Sequence, residues 1–151
     1  MDETYIRVKG EWYYLYRAVD KRGQTIDFLL SAHRDEPAAK RFLMKAIRRH
    51  GVPETITIDG SEANAAAIRT YNQEHGTTIT IRQVKYLNNV VEQDHRAVKR
   101  ISRPMLGFKS FDAAQYTLTG IELMHMLRKG QWAGGAEQGL TAAEQFYALA
   151  A

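Results

Sequence analysis

Three carboxylates occupy positions from which a folded chain could bring them together. Asp2 lies at the start of one predicted strand, Asp59 ends another, and Glu92 lies in the first turn of a predicted helix. If the two strands are neighbours and the helix packs over their ends, the three side chains converge at one edge of a sheet. Each also has a plainer interpretation: a solvated terminal residue, a turn aspartate before glycine, and the partner of a helix cap.

The chemistry of such a cluster would be that of a hard metal site. The chain has no cysteine, so a thiol nucleophile and a cysteine-ligated zinc or iron–sulfur centre are excluded. Oxygen donors select Mg²⁺ or Mn²⁺, and two such ions about 4 Å apart promote in-line displacement at phosphorus. We therefore consider Asp2, Asp59 and Glu92 candidate catalytic residues and ligands of two Mg²⁺ ions, with Mn²⁺ as a substitute and no small-molecule cofactor.

The positive charge of the chain is concentrated in one segment. Residues 82–109 contain seven Lys or Arg against two acidic residues, whereas the rest of the chain contains fourteen against fifteen. Such a segment favours a polyanionic partner, although a solvated helix face would give the same pattern. The candidate DNA-binding residues are Lys85, Arg96, Lys99, Arg100 and Arg103.

Histidines and aromatic residues receive structural rather than functional interpretations. His95 follows Glu92 by one helical turn, and we expect a polar surface or hydrogen-bonded residue there rather than a metal ligand. Tyr5 and the aromatic residues of 12–16 could stack on bases, but a predicted central hairpin favours packing within the sheet.

Length and composition describe one globular domain. The chain has 151 residues, with 44% hydrophobic and 25% charged residues, which is enough to bury a core without disulfides. No apolar run reaches the roughly 18 residues of a membrane span, and the start lacks the pattern of a signal peptide. We expect an intracellular, cytoplasmic protein with no membrane partner.

The order of predicted elements indicates an α/β fold. Three strands joined by short turns come first, and two further strands each follow a helix. This order predicts a five-stranded mixed sheet flanked by helices, with the first three strands antiparallel, as in the ribonuclease H-like fold. We expect residues 1–130 to form the core, and residues 131–151 to form a glycine-rich linker and a short final helix within the same domain.

Three stretches of the sequence resemble a known family. Residues 2–20, 82–96 and 103–111 are similar to the corresponding motifs of the DDE transposases of small bacterial and archaeal insertion sequences. The resemblance is to the subfamily that moves by replicative cointegrate formation, and it extends from residue 2 to about residue 150.

The resemblance implies a ribonuclease H-like core akin to that of retroviral integrases. Its acidic triad matches Asp2, Asp59 and Glu92, and its basic residue seven positions after the glutamate matches Lys99. Such enzymes cut the 3′ ends of the element and join the freed hydroxyls to target DNA. The implied partners are element ends, target DNA and further copies of the chain, in the nucleoid.

Three departures from the family pattern support an alternative to an active transposase. No helix-turn-helix region precedes Met1, few residues precede Asp2, and Gly60 stands where the family usually has a lysine. We therefore expect an isolated catalytic domain or the product of a truncated reading frame. In the alternative, the chain is an inactive remnant that folds and binds DNA weakly. A host ribonuclease H-like nuclease fits the triad but not the long motifs.

Overall fold

The computed structural model describes residues 1–84 and 89–151, without the side chain of Ala136. It contains five strands, β1 Asp2–Val8, β2 Glu11–Val19, β3 Thr25–Ser31, β4 Thr55–Ile58 and β5 Thr80–Gln83. Its α-helices are α1 Glu36–His50, α2 Glu62–His75, α3 Asn89–Ser102, α4 Phe111–Arg128, α5 Ala133–Glu137 and α6 Ala142–Ala150.

The first three strands form an antiparallel sheet in the order β1-β2-β3. A two-residue turn joins β1 to β2, and its residues Lys9 and Gly10 have φ values of 51° and 83°. Positive φ at both positions matches the right-handed twist of the flanking strands. The resulting register pairs Asp2 with Arg17, so these two side chains share one face of the sheet.

The last two strands pair in parallel with each other in a second, two-stranded sheet. The predicted single five-stranded sheet is therefore wrong in this detail, although the order and direction of the strands are as predicted. The amino nitrogen of Met1 donates to the carbonyl oxygen of Thr57 at 2.7 Å, which places the start of β1 beside β4. Because β4 ends at Ile58, the two strands overlap over too few residues to form a ladder.

Helices cover both faces of the antiparallel sheet. On one face α1 and α2 pack with Tyr16, Phe42 and Ile68 in the core. On the other face α3 and α4 pack against β1, β2 and β3 through residues such as Leu15 and Val98. Among the described residues, no helix is both long and apolar enough to cross a lipid bilayer.

The aromatic residues near the hairpin divide between core and surface. Tyr16 is fully buried, as the packing interpretation requires, whereas Tyr5 and Trp12 are 46% and 52% exposed. The exposed pair makes an edge-to-face contact at 5.9 Å, and the Arg7 guanidinium lies 5.2 Å from the Trp12 ring centroid. The packing interpretation is therefore correct for Tyr16 and incomplete for the exposed end of the hairpin.

The predicted linker contains a helix, α5, and close packing. A Cβ atom on Gly135 would lie 2.5 Å from the side chain of Gln145 and 2.6 Å from Trp132. A glycine is thus needed there because neighbouring side chains approach the backbone, and not because the chain must be free to move. The division of the chain at residue 130 stays a prediction.

Candidate active site

Asp2 is a buried residue of a paired strand. Its Oδ1 accepts a hydrogen bond from the backbone N–H of Glu3 at 2.8 Å, and its residue exposure is 8%. The alternation of β1 turns Asp2 to the same face as Ile6, which packs against α3 and α4. The interpretation of Asp2 as a solvated terminal residue is therefore wrong, because pairing with β2 begins at this residue.

His95 connects α3 to Asp2. Its Nε2 atom lies 3.4 Å from Oδ2 of Asp2, and its side chain is only 4% exposed. The pair lacks hydrogen-bond geometry, and neither ring nitrogen has a hydrogen-bond partner among the described residues. The expectation that His95 is a surface or hydrogen-bonded residue is therefore wrong, since α3 packs on the sheet with this side inward. The only hint in the sequence that His95 lies near the candidate site was its position one helical turn after Glu92.

Asp59 lies directly after β4 and is half-buried. Its Oδ1 accepts from the backbone N–H of Ser61 at 3.0 Å, which is the turn contact of the plainer interpretation. The residue also lies near the start of β1. Burial lowers the pKa of the Met1 amino group, and the negative charges of Asp2, Asp59 and Glu3 oppose that shift without reversing it. Asp2 and Asp59 thus both lie near enough to the Met1 amino group to raise its pKa.

Glu92 is an exposed residue in the first turn of α3. The plainer interpretation of Glu92 makes it the partner of a cap at Asn89, but Asn89 is already helical in α3, and the residues immediately before it lie outside the described part of the chain. No hydrogen bond or ion pair engages the Glu92 carboxylate among the described residues. Within the same residues, no group of three His, Asp or Glu side chains is close enough to hold a metal ion.

A buried ion network fixes α3 against β2 and α4. The fully buried Arg17 donates from Nη2 to Asp94 at 2.5 Å, and from Nε and Nη2 to Glu122 at 2.5 and 2.8 Å. His125 and Lys129 contact the other oxygen of Asp94 at 2.8 and 2.5 Å. These five residues are called the buried ion network below.

The network keeps Asp94 charged inside the protein. Burial would raise the pKa of Asp94, but hydrogen bonds from His125 and Lys129 and the charge of Arg17 hold it well below its ordinary value. Asp94 immediately precedes His95, and Arg17 lies opposite Asp2 in the strand register. The network therefore sets the position of the helix that carries Glu92. Sequence reasoning missed it, because bonded members such as Arg17 and Glu122 are 105 positions apart in the chain.

The basic residues of the predicted DNA-binding segment lie along α3 and beyond its end. Arg96, Arg100 and Arg103 are exposed and Lys99 is half-buried. None of these four has an ion-pair partner among the described residues, so their charges are available to an external anion. Lys85, the remaining candidate, lies outside the described residues.

The fold has a counterpart among solved structures. A chain in the cryoEM structure of the simian T-cell lymphotropic virus intasome in complex with PP2A regulatory subunit B56 gamma superposes with a TM-score of 0.59 at 18% sequence identity. The match covers 78% of this chain and 45% of that chain, and it establishes an α/β fold of the kind found in an intasome.

The family is shown by sequence. A family model described as a DDE domain matches residues 1–131, and the chain belongs to this family of insertion-sequence transposases. The Staphylococcus aureus transposases for insertion sequence-like element IS431mec and for insertion sequence element IS257 in transposon Tn4003 are each 39% identical over 134 residues. These matches cover 85% of this chain and 57% of each relative, so the chain spans little more than half their length.

Proposed function

We propose that this chain is the ribonuclease H-like catalytic domain of a DDE transposase of the cointegrate-forming kind. It would cleave the 3′ ends of a mobile element and transfer the freed strands to target DNA. The contact of His95 with Asp2 carries the proposal, because it joins the strand that bears one carboxylate to the helix that bears Glu92. The hydrogen bond from Met1 to Thr57 supports the proposal further, because it links the start of β1 to β4, the strand that Asp59 directly follows.

Asp2, Asp59 and Glu92 are the residues that would hold two divalent cations, and their oxygen-only chemistry fits Mg²⁺ and Mn²⁺. When bound, such ions would supply activation of the attacking oxygen and neutralisation of charge on the phosphodiester. The chain itself orients the donors: pairing with β2 holds Asp2 in the sheet, and His95 restricts where its carboxylate can turn. The attacking groups would be water in cleavage and a DNA 3′-hydroxyl in strand transfer.

The exposed cations of α3 would hold the DNA backbone. Arg96 and Lys99 follow Glu92 by one and two turns, so a phosphodiester lying along the helix could contact both while reaching the carboxylates. The partners would be element ends and target DNA, with a homo-oligomer pairing two ends, and the protein would reside with the nucleoid. The remnant alternative is not favoured, since the family match extends over residues 1–131 with all three carboxylates present.

Calorimetry with Mn²⁺ tests the metal site without requiring DNA. We expect the parent chain to bind Mn²⁺ and Asp59→Asn to bind it at least about tenfold more weakly, because a neutral amide replaces an anionic ligand. Glu54→Gln is the matched control, since Glu54 is an exposed carboxylate before β4, and it should bind like the parent. Equal binding by Asp59→Asn and the parent would exclude Asp59 as a ligand. A folded parent that binds no Mn²⁺, even with duplex DNA present, would contradict the proposed metal site.

A salt titration tests the basic segment. Each phosphate contact contributes about 0.9 to the slope of log affinity against log salt, so the double variant Arg100→Gln/Arg103→Gln should lower the slope by roughly two. The paired control is Arg22→Gln/Arg48→Gln, which removes two exposed cations from other parts of the chain and should leave the slope unchanged. Filter binding to a duplex between 50 and 200 mM salt measures both. Equal slopes for the two double variants would show that Arg100 and Arg103 do not contact DNA phosphates.

A further inference from the structure

An apolar tip projects from the loop after α3. It consists of Met105 and Leu106, which are 43% and 90% exposed. Leu106 is the most exposed of the large apolar residues in the described part of the chain. A single exposed apolar side chain is common on protein surfaces, so a role for Leu106 depends on how the loop holds it and on what surrounds it.

The loop that carries the tip is held in place on both sides. Before it, the backbone N–H of Leu106 donates to the carbonyl oxygen of Arg103 at 3.1 Å. After it, Phe108 donates to Arg7 and accepts from Lys9, both at 2.8 Å, so the loop is bonded to the edge of β1. The exposure of Leu106 therefore does not come from a loose loop.

Leu106 also has an unfavourable backbone conformation. Its φ is 56°, in the left-handed region that glycine or asparagine adopts at lower cost than leucine. A branched apolar residue at this position is strained and solvated at the same time. Leu106 ends the short 3-10 turn Arg103–Met105 in this conformation, and strained residues of this kind cluster at binding and active sites.

Cations surround the apolar tip. Arg100, Arg103 and Lys109 flank it along the chain, and Arg7 and Lys9 lie at the strand edge to which the loop is bonded; all five are exposed. None has an ion-pair partner among the described residues. The exposed carboxylates on adjoining segments are Glu11 and Asp112, so positive charge prevails. A symmetric contact with a second copy would bring two such cationic rings together, which argues for a polyanion instead.

We propose that the apolar tip is a DNA wedge: Leu106, assisted by Met105, inserts from the minor groove between two base pairs while the surrounding cations bind phosphates. Proteins that kink DNA combine an apolar wedge with flanking basic residues in this way. The inference rests on the proposed function, which makes DNA the substrate. Ser102 ends α3 ten residues after Glu92, so the helix alone separates Glu92 from the start of the wedge loop by about 15 Å, or roughly four to five base steps.

The test measures base unstacking with the complete chain in EDTA, so that no strand is cut. One duplex carries 2-aminopurine in place of adenine at a single TA step, because pyrimidine–purine steps unstack easily, and a second carries it within a stiff A-tract. At saturating protein we expect the fluorescence of the TA duplex to rise with the parent and with Leu106→Met. With Leu106→Asn we expect less than half of that fluorescence increase. Asparagine is chosen because it tolerates the left-handed backbone conformation of this position. Leu149→Asn replaces an exposed leucine of α6 and should behave as the parent.

The outcomes separate the wedge from the proposed function. A full rise with Leu106→Asn, or no rise with a parent that binds the duplex in a salt-dependent manner, would overturn the wedge and leave the proposed function standing. A parent without any salt-dependent duplex binding would overturn both. If Leu106→Asn changes the sedimentation of the chain and leaves the fluorescence unchanged, the tip is a protein contact and the wedge is wrong.

Discussion

Glu92→Gln is expected to reduce strand cleavage by at least about 1000-fold while the chain stays folded. The substitution keeps the shape of the side chain and removes its charge, so in the proposed metal site a cation shared with Asp2 and Asp59 would lose an anionic ligand. A 1000-fold loss corresponds to about 4 kcal/mol of activation barrier, a loss typical of removing a stabilising group at the reacting centre. Because Glu92 is exposed, the free energy of unfolding should change by no more than about 0.5 kcal/mol.

The measurement is release of a labelled strand from duplex DNA in Mn²⁺, with thermal unfolding followed by circular dichroism on the same samples. Glu54→Gln is again the control, because it makes the same chemical change at an exposed glutamate far from α3 in sequence. DNA binding should be retained by both variants, since the basic residues are untouched. Cleavage by Glu92→Gln at a rate within tenfold of the parent would remove Glu92 from the mechanism.

Arg17→Met is expected to lower the free energy of unfolding by about 3–5 kcal/mol, the cost of leaving buried charges without their partner. Arg17 and Glu122 are both fully buried, and Arg17 donates to Glu122 and to Asp94. Methionine keeps much of the apolar volume of the arginine stem, so the lost stability reflects the missing charge and not a new cavity. For a chain of this length the melting temperature should fall by roughly 10 °C, measured by thermal and urea unfolding.

Two further variants separate the charge effect from general damage. Adding Glu122→Leu to Arg17→Met removes one uncompensated carboxylate and should restore at least about half of the lost stability. Arg48→Met changes an exposed arginine of α1 and should stay within about 0.5 kcal/mol of the parent. If Arg17→Met alone costs less than about 1 kcal/mol, the buried ion network does not hold α3 in place.

Local features of the sequence were sufficient to predict most secondary structure. Asp35 caps α1 by accepting from the N–H of Ala38 at 2.9 Å, and Thr141 with Glu144 forms a capping box at the start of α6. Helix caps involve residues within one helical turn of each other, so they can be predicted without tertiary information.

The sequence by itself determined the order of elements, the family motifs, the three carboxylates and the excess of positive charge in residues 82–109. Only the tertiary structure decided which side of α3 faces the sheet, and therefore that His95 meets Asp2 while Arg96 stays exposed. It also decided that Arg17 is buried between Asp94 and Glu122, and that β4 and β5 stand apart as a second sheet. The physical reason is distance along the chain: helix rotation, strand register and ion pairing across many positions depend on how elements pack, which no local pattern records.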